Sequence, residues 1–193
     1  SGKGDQRDEV DYQTAFARHE GSVAAPTAGL HFTEELLDVL KRRGVEIVEV
    51  TLHVGSASFL SVWAEEQSGE VAFSPPGVER GRIEQETLER LRQLKLEGRR
   101  IIAVGTTVVR LLETIFSSLN PHAGGEVRTD LFIRPGYRFR AVDSMITNFH
   151  QPQSSHLLLV EAFMGRSLLK ESYEAAVQSR YRFLSYGDGM FIE

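Results

Sequence analysis

Three histidines in this sequence stand beside small polar residues at places where the chain reads as leaving a strand. These are His31, His53 with Thr51, and His150 with Thr147 and Asn148. An imidazole titrates near neutrality and can take or give a proton there. Each histidine alone reads equally well as a hydrogen-bonded structural residue. Three of them at three strand ends form a common rim if the strands run parallel, because ligands of open α/β sheets bind outside the carboxyl ends of the strands. A metal is not expected, since no His-x-His or His-x-x-x-His pair occurs among them. Gly105-Thr106-Thr107 precedes an apolar helical stretch and offers free N–H groups at a helix start, suited to a carboxylate or phosphate. An ordinary threonine cap is the alternative. Arg110, one turn on, either anchors an anion or faces solvent.

Two further features admit two readings each. Tyr186-Gly187-Asp188-Gly189 is a tight turn on local grounds. Arg128, Arg134, Arg138 and Arg140, interleaved with Phe132, Tyr137 and Phe139, suit stacking and phosphate contact, and equally an exposed hairpin. Neither a G-x-G-x-x-G fingerprint nor a G-x-x-x-x-G-K-[ST] loop is present, which disfavours nicotinamide cofactors and nucleoside triphosphates.

The elements that must carry these residues alternate between strand-like and helix-like periodicity, the mark of an α/β fold. Residues 22–27 read as a short strand ending in a turn at 28–31. A helix follows with Thr33 as cap, Glu34 and Glu35 in its first turn, and Leu36, Leu37 and Leu40 as its buried stripe. Residues 45–54 alternate as a strand, with Val48, Val50, Leu52 and Val54 on one side and Thr51 and His53 on the other. A strand is expected near 70–73, a charged helix over 79–97 and a strand over 100–104. A helix after Thr107, strands over 131–133 and 141–147, and helices over 155–164 and 168–182 complete the reading.

The 193 residues are 41% apolar and 25% charged, which suits one domain, with residues 1–20 as a polar leader or linker. A net charge of −5 leaves any nucleic-acid contact to a local basic patch. Having no cysteine, the chain has no disulfide, thiolate metal site or cysteine nucleophile. No apolar run approaches the roughly 20 residues of a membrane span, so a soluble, cytoplasmic protein is expected.

Five ordered blocks over nearly the whole chain resemble the S-adenosylmethionine:tRNA ribosyltransferase-isomerase family of queuosine biosynthesis. They are AAPTAGLHF at 24–32, TLHVG at 51–55, IAVGTTVVR at 102–110, TNFH at 147–150 and YRFLSYGDGM at 181–190. The resemblance implies transfer of the ribosyl part of S-adenosylmethionine, a substrate here, onto 7-aminomethyl-7-deazaguanine at the tRNA wobble position. Epoxyqueuosine would form with loss of adenine and methionine, and no metal is implied. By position on these blocks, His31, His53, His150 and Asp188 are expected to serve catalysis. Thr27, Gly29, Gly105, Thr106, Thr107 and Arg110 would bind S-adenosylmethionine; Thr51, Thr147, Asn148, Ser155 and Tyr186 would bind the substrate base.

The resemblance covers roughly the C-terminal half of the family fold. A mostly parallel sheet with helices on both faces is therefore expected, without the family's inserted β-barrel domain. Residues 68–76 depart from the family's His- and Met-containing stretch. Two alternative readings are a noncatalytic or divergent S-adenosylmethionine- or RNA-binding relative, and an enzyme of another nucleoside.

Overall fold

The apolar face of one helix organises the structure. In the computed structural model, which describes residues 13–17, 25–53, 64–67, 70–73, 75–117 and 124–193, the helix over Thr106–Ser117 buries Val109, Leu111, Leu112 and Ile115. In chain order the elements are a 3-10 helix (Thr27–His31), α1 (Glu34–Arg42), β1 (Thr51–His53), β2 (Ala64–Gln67), β3 (Glu70–Phe73), β4 (Glu79–Ile83) and α2 (Gln85–Leu96). There follow β5 (Ile102–Val104), α3 (Thr106–Ser117), β6 (Gly125–Thr129), β7 (Ser144–Asn148), α4 (Ser155–Met164), α5 (Arg166–Gln178) and β8 (Gly189–Ile192). One sheet has the order β1-β4-β6, a second β5-β7-β8, and β2-β3 form a hairpin. Helix α3 packs against β4, β5 and β6, so both three-stranded sheets share it as their core.

The α/β class expected from the sequence holds. The mostly parallel sheet does not: β5 and β7 run parallel, whereas β1-β4, β4-β6, β2-β3 and β7-β8 are antiparallel. Parallel pairing needs a crossover such as α3 between β5 and β7. The antiparallel partners come from strands that periodicity missed, β8 in the glycine-bearing tail and β4 inside the run expected as helix. In β4 the burial alternates, with Glu79, Gly81 and Ile83 inward and Arg80 and Arg82 outward. Gly81 is required by close approach: a Cβ there would lie 2.9 Å from the Thr51 carbonyl oxygen and 2.9 Å from Leu111 Cδ2. The charged helix begins only after Glu84, as α2.

Other expectations are corrected. Only Thr51–His53 of the expected 45–54 strand pairs, with β4; Val48, Val50 and Leu52 pack on the core, and Val54 lies outside the described residues. Residues 27–31 coil into a 3-10 helix, and residues 22–24 of the expected strand are also outside the described part. Residues 131–133 are unpaired, the strand lying earlier as β6. Of the expected leader, Thr14 is buried against Gly29 and the Phe16 ring tilts onto Phe32 at 5.9 Å, so this part belongs to the packed body. The rest of residues 1–20 lies outside the described part. Thr33 caps α1 as expected, its side chain accepting the Leu36 N–H.

Candidate functional site

The parallel pair β5-β7 delivers two polar turns to the same end. Strand β5 gives way to Gly105, whose N–H donates to the Ile146 carbonyl at 2.8 Å and whose φ of +97° is one that side-chain-bearing residues rarely adopt. The chain then enters α3, leaving the first N–H groups of the helix without partners in the helix. Strand β7 ends at Thr147-Asn148, followed by His150. Between these ends lies a cavity of about 230 Å³, walled by Gly105, Thr106 and Thr107 on one side and by Thr147, Asn148 and His150 on the other. Thr27 and Leu52 close it from the remaining elements, and Gln151, Ser154, His156 and Ser185 also reach it.

Hydrogen bonds fix this wall. Thr27 Oγ1 donates to Asn148 Oδ1 at 3.1 Å, and the Asn148 amide donates to His31 Nε2 at 3.1 Å, which puts the His31 proton on Nδ1. Asn148 thereby ties the 3-10 helix to β7. His150 Nε2 shares a hydrogen bond of 2.9 Å with Thr147 Oγ1. The His150 N–H donates to the Tyr173 hydroxyl at 2.9 Å. The His150 and His156 rings stack with centroids 5.0 Å apart. Burial, and then the neighbouring His156, push the His150 pKa down to about 3; burial also lowers that of His156. Both imidazoles are neutral at pH 7.

The expected site residues divide into two groups. Thr27, Gly105, Thr106, Thr107, Thr147, Asn148 and His150 meet around the cavity. His31 stands behind it through Asn148. Gly29 is buried under Thr14 and serves packing. Thr51 and His53 flank Leu52, which reaches the cavity, so strand alternation turns them to the opposite face of the sheet.

Arg110 is 5% exposed and makes an ion pair with Glu79 at 2.7 Å while donating to the carbonyls of Leu131 and Gly77. It locks α3 to β4 rather than reaching the cavity. Ser155 faces this locked region, beside a void of about 10 Å³. Asp188 accepts the Arg182 N–H at 2.7 Å, a bond that, with the Arg182 guanidinium, holds its carboxyl below the usual range. It closes the turn into β8. Tyr186 is half exposed and outside the cavity lining.

Sequence reasoning missed His156. Ser154 caps α4, accepting the Leu157 N–H at 3.2 Å, and this start places His156 in the first turn, facing back to His150. The cap signal at Ser154 was the available clue. Among the described residues no three His, Asp or Glu side chains gather as a metal site, and no helix is long and apolar enough to cross a membrane.

Comparison with known proteins adds four findings. A family model described as queuosine biosynthesis protein matches residues 3–192. The chain is 51% identical over 181 residues to an S-adenosylmethionine:tRNA ribosyltransferase-isomerase of Citrifermentans bemidjiense, covering 94% of this chain and 52% of that protein. It is 50% identical over 185 residues to the protein of the same name from Aquifex aeolicus, covering 96% and 53%. A crystal structure of an S-adenosylmethionine tRNA ribosyltransferase from Thermotoga maritima superposes with a TM-score of 0.68 at 42% identity, covering 86% of this chain and 51% of that one. The chain thus spans about half the length of the relatives it matches.

Proposed function

Because this chain belongs to the queuosine biosynthesis protein family, we propose that its cavity forms part of a site that binds S-adenosylmethionine and transfers its ribosyl moiety to 7-aminomethyl-7-deazaguanine at the wobble position of tRNA. The relatives are named for ribosyl transfer from S-adenosylmethionine to tRNA and for isomerisation. The observation that carries the reading is the meeting of three polar segments, distant in the chain, around one cavity: Thr27, Gly105-Thr106-Thr107 and Thr147 to His150. At about 230 Å³ that cavity is smaller than the roughly 300 Å³ at which pockets begin to enclose a whole drug-sized ligand. These walls accordingly hold one portion of the nucleoside sulfonium.

The N–H groups at the start of α3 suit the α-carboxylate of S-adenosylmethionine, where donors and helix dipole act together. Thr147 and Asn148 supply directional hydrogen bonds for ribose or base. The sulfonium acidifies the neighbouring 5′ C–H, and removal of that proton begins the rearrangement that expels adenine. His150, neutral and hydrogen-bonded to Thr147, orients the reacting group and receives a proton only when a ligand changes its surroundings. His31, held by Asn148, sets the orientation of that amide. The site is cytoplasmic in this reading and uses no metal.

A second reading is a binding module without turnover. It is favoured by the burial of Arg110 in an ion pair and by the use of Asp188 in a turn, which remove two polar groups from the chemistry. One experiment separates the two. The chain is incubated with S-adenosylmethionine and tRNA bearing the precursor base, and released adenine is measured beside calorimetric binding. Adenine release supports the transferase; binding without release supports the module; no binding, with Thr106→Val indistinguishable from the parent, rejects the cavity as the site.

A further inference from the structure

The outer face of the sheet β1-β4-β6 carries a cationic row that the cavity does not use. Opposed residues of antiparallel strands share a face, so the register His53↔Arg80 and Arg80↔Arg128 aligns three cationic or protonatable side chains across three strands. All three are exposed. Directly opposite Cβ atoms lie about 5 Å apart, and like charges so placed oppose folding. The neighbouring row is built differently: Thr51↔Arg82↔Glu126 sets Arg82 against Glu126, and Arg82 also makes a 2.7 Å ion pair with Glu84. One arginine of β4 is thus neutralised and the other is left against a like charge on the same face. Among the described residues neither Arg80 nor Arg128 has an ion pair.

Among the described residues β1 is an edge of this sheet, and its Leu52 reaches the cavity from the inner face. A polyanion lying on the outer row is therefore one strand away from the cavity. In a chain of net charge −5, uncompensated arginines in register are a local attraction for phosphate. Resting on the reading of tRNA as substrate, we propose that Arg80 and Arg128, with His53 at the end of the row, grip the phosphate backbone of the RNA whose base enters the cavity.

The test measures binding of an anticodon stem-loop RNA to the full chain by fluorescence anisotropy over a salt series. For the double variant Arg80→Ala/Arg128→Ala, the slope of log K against log salt is expected to fall in magnitude by about 1.4, the loss of two single-strand phosphate contacts. Arg82→Ala should leave the slope nearly unchanged. Arg80→Lys/Arg128→Lys, which preserves charge and surface, should keep most of it and guards against a folding defect. Arg128→Glu should weaken RNA binding while raising the thermal midpoint, since it replaces a repulsive pair by an attractive one. An unchanged slope in the alanine double variant, or an equal loss with Arg82→Ala, overturns the proposal. RNA binding insensitive to the row, with S-adenosylmethionine binding intact, leaves the cavity reading standing; a parent chain that ignores RNA altogether overturns both the row and the choice of tRNA as substrate.

Discussion

His150 follows β7 in a wall where burial and a stacked neighbour both oppose protonation. The sign of the consequence is fixed by linkage. Between pH 6.5, where an ordinary histidine titrates, and about 3, the unfolded chain binds a proton that the folded chain does not. Stability is therefore full above about pH 6.5 and declines as the pH falls through that window. His156 adds in the same direction. Unfolding free energies from urea titrations at pH 7.5 and 5 should differ by roughly 2 kcal/mol or more, and His150→Gln should flatten the dependence. Were the parent equally stable at both values, the neutral imidazole pair would be wrong. His53, by contrast, faces away from the cavity, so His53→Ala should leave S-adenosylmethionine affinity unchanged in calorimetry. Its expected place in proton transfer came from sharing the polar strand face with Thr51, opposite Val48, Val50 and Leu52, whereas it is the Leu52 face that lines the cavity.

At the scale of elements, α3 holds the molecule together through two buried charges. Glu113, fully buried, accepts the backbone N–H groups of Arg140, Ala141 and Val142 at 2.9–3.0 Å and the Tyr137 hydroxyl at 3.2 Å. Burial and the adjacent carboxylate raise the Tyr137 pKa to about 12, which keeps this phenol a donor at all ordinary pH. Glu113→Ala strands those N–H groups and should cost about 3–5 kcal/mol, read by chemical denaturation. One turn earlier, Arg110 and Glu79 join α3 to β4. Arg110→Met takes the guanidinium from the buried Glu79 carboxylate, leaving it the Thr107 hydroxyl at 3.0 Å but no ion pair with α3, at a cost of about 3–5 kcal/mol, and Arg110→Met/Glu79→Leu should recover most of it. If the double variant is no more stable than the single, the pair is not what holds these elements. The boundary between β4 and α2 was illegible locally because the run 79–97 contains charges and leucines compatible with a helix throughout. Burial of Glu79 against Arg110, and of Gly81 against Thr51 and Leu111, decides it, and each of these partners is remote in sequence.

At the scale of the molecule, the cavity is assembled from the 3-10 helix, the β1 edge, the β5-α3 turn and the end of β7. Binding there couples segments that otherwise meet only through the core. S-adenosylmethionine at about 100 times its Kd should stabilise the fold by about 2.7 kcal/mol, visible as a rise in thermal midpoint that Thr106→Val diminishes. No shift at saturating ligand would remove the cavity from consideration. The relatives are about twice as long as this chain, and the described walls match only part of the ligand proposed for them.

Local pattern carried the α/β class, the helices after Thr33, Thr107 and Ser154, and, for the parallel pair alone, the meeting of Thr106 and Thr107 with Thr147, Asn148 and His150; Thr51 and His53, expected on the same rim, lie on the other face. Caps, glycine conformations and apolar periodicity are local properties, and a short parallel pair with a helical crossover leaves few ways to arrange its ends. Folding in three dimensions sets which face of β1 looks into the cavity, that Arg110 pairs with Glu79, that Asp188 closes a turn, and that His156 stacks on His150. Those outcomes depend on which remote partner satisfies a buried charge or donor, and hydrogen bonds and ion pairs between distant residues leave no periodic trace along the chain.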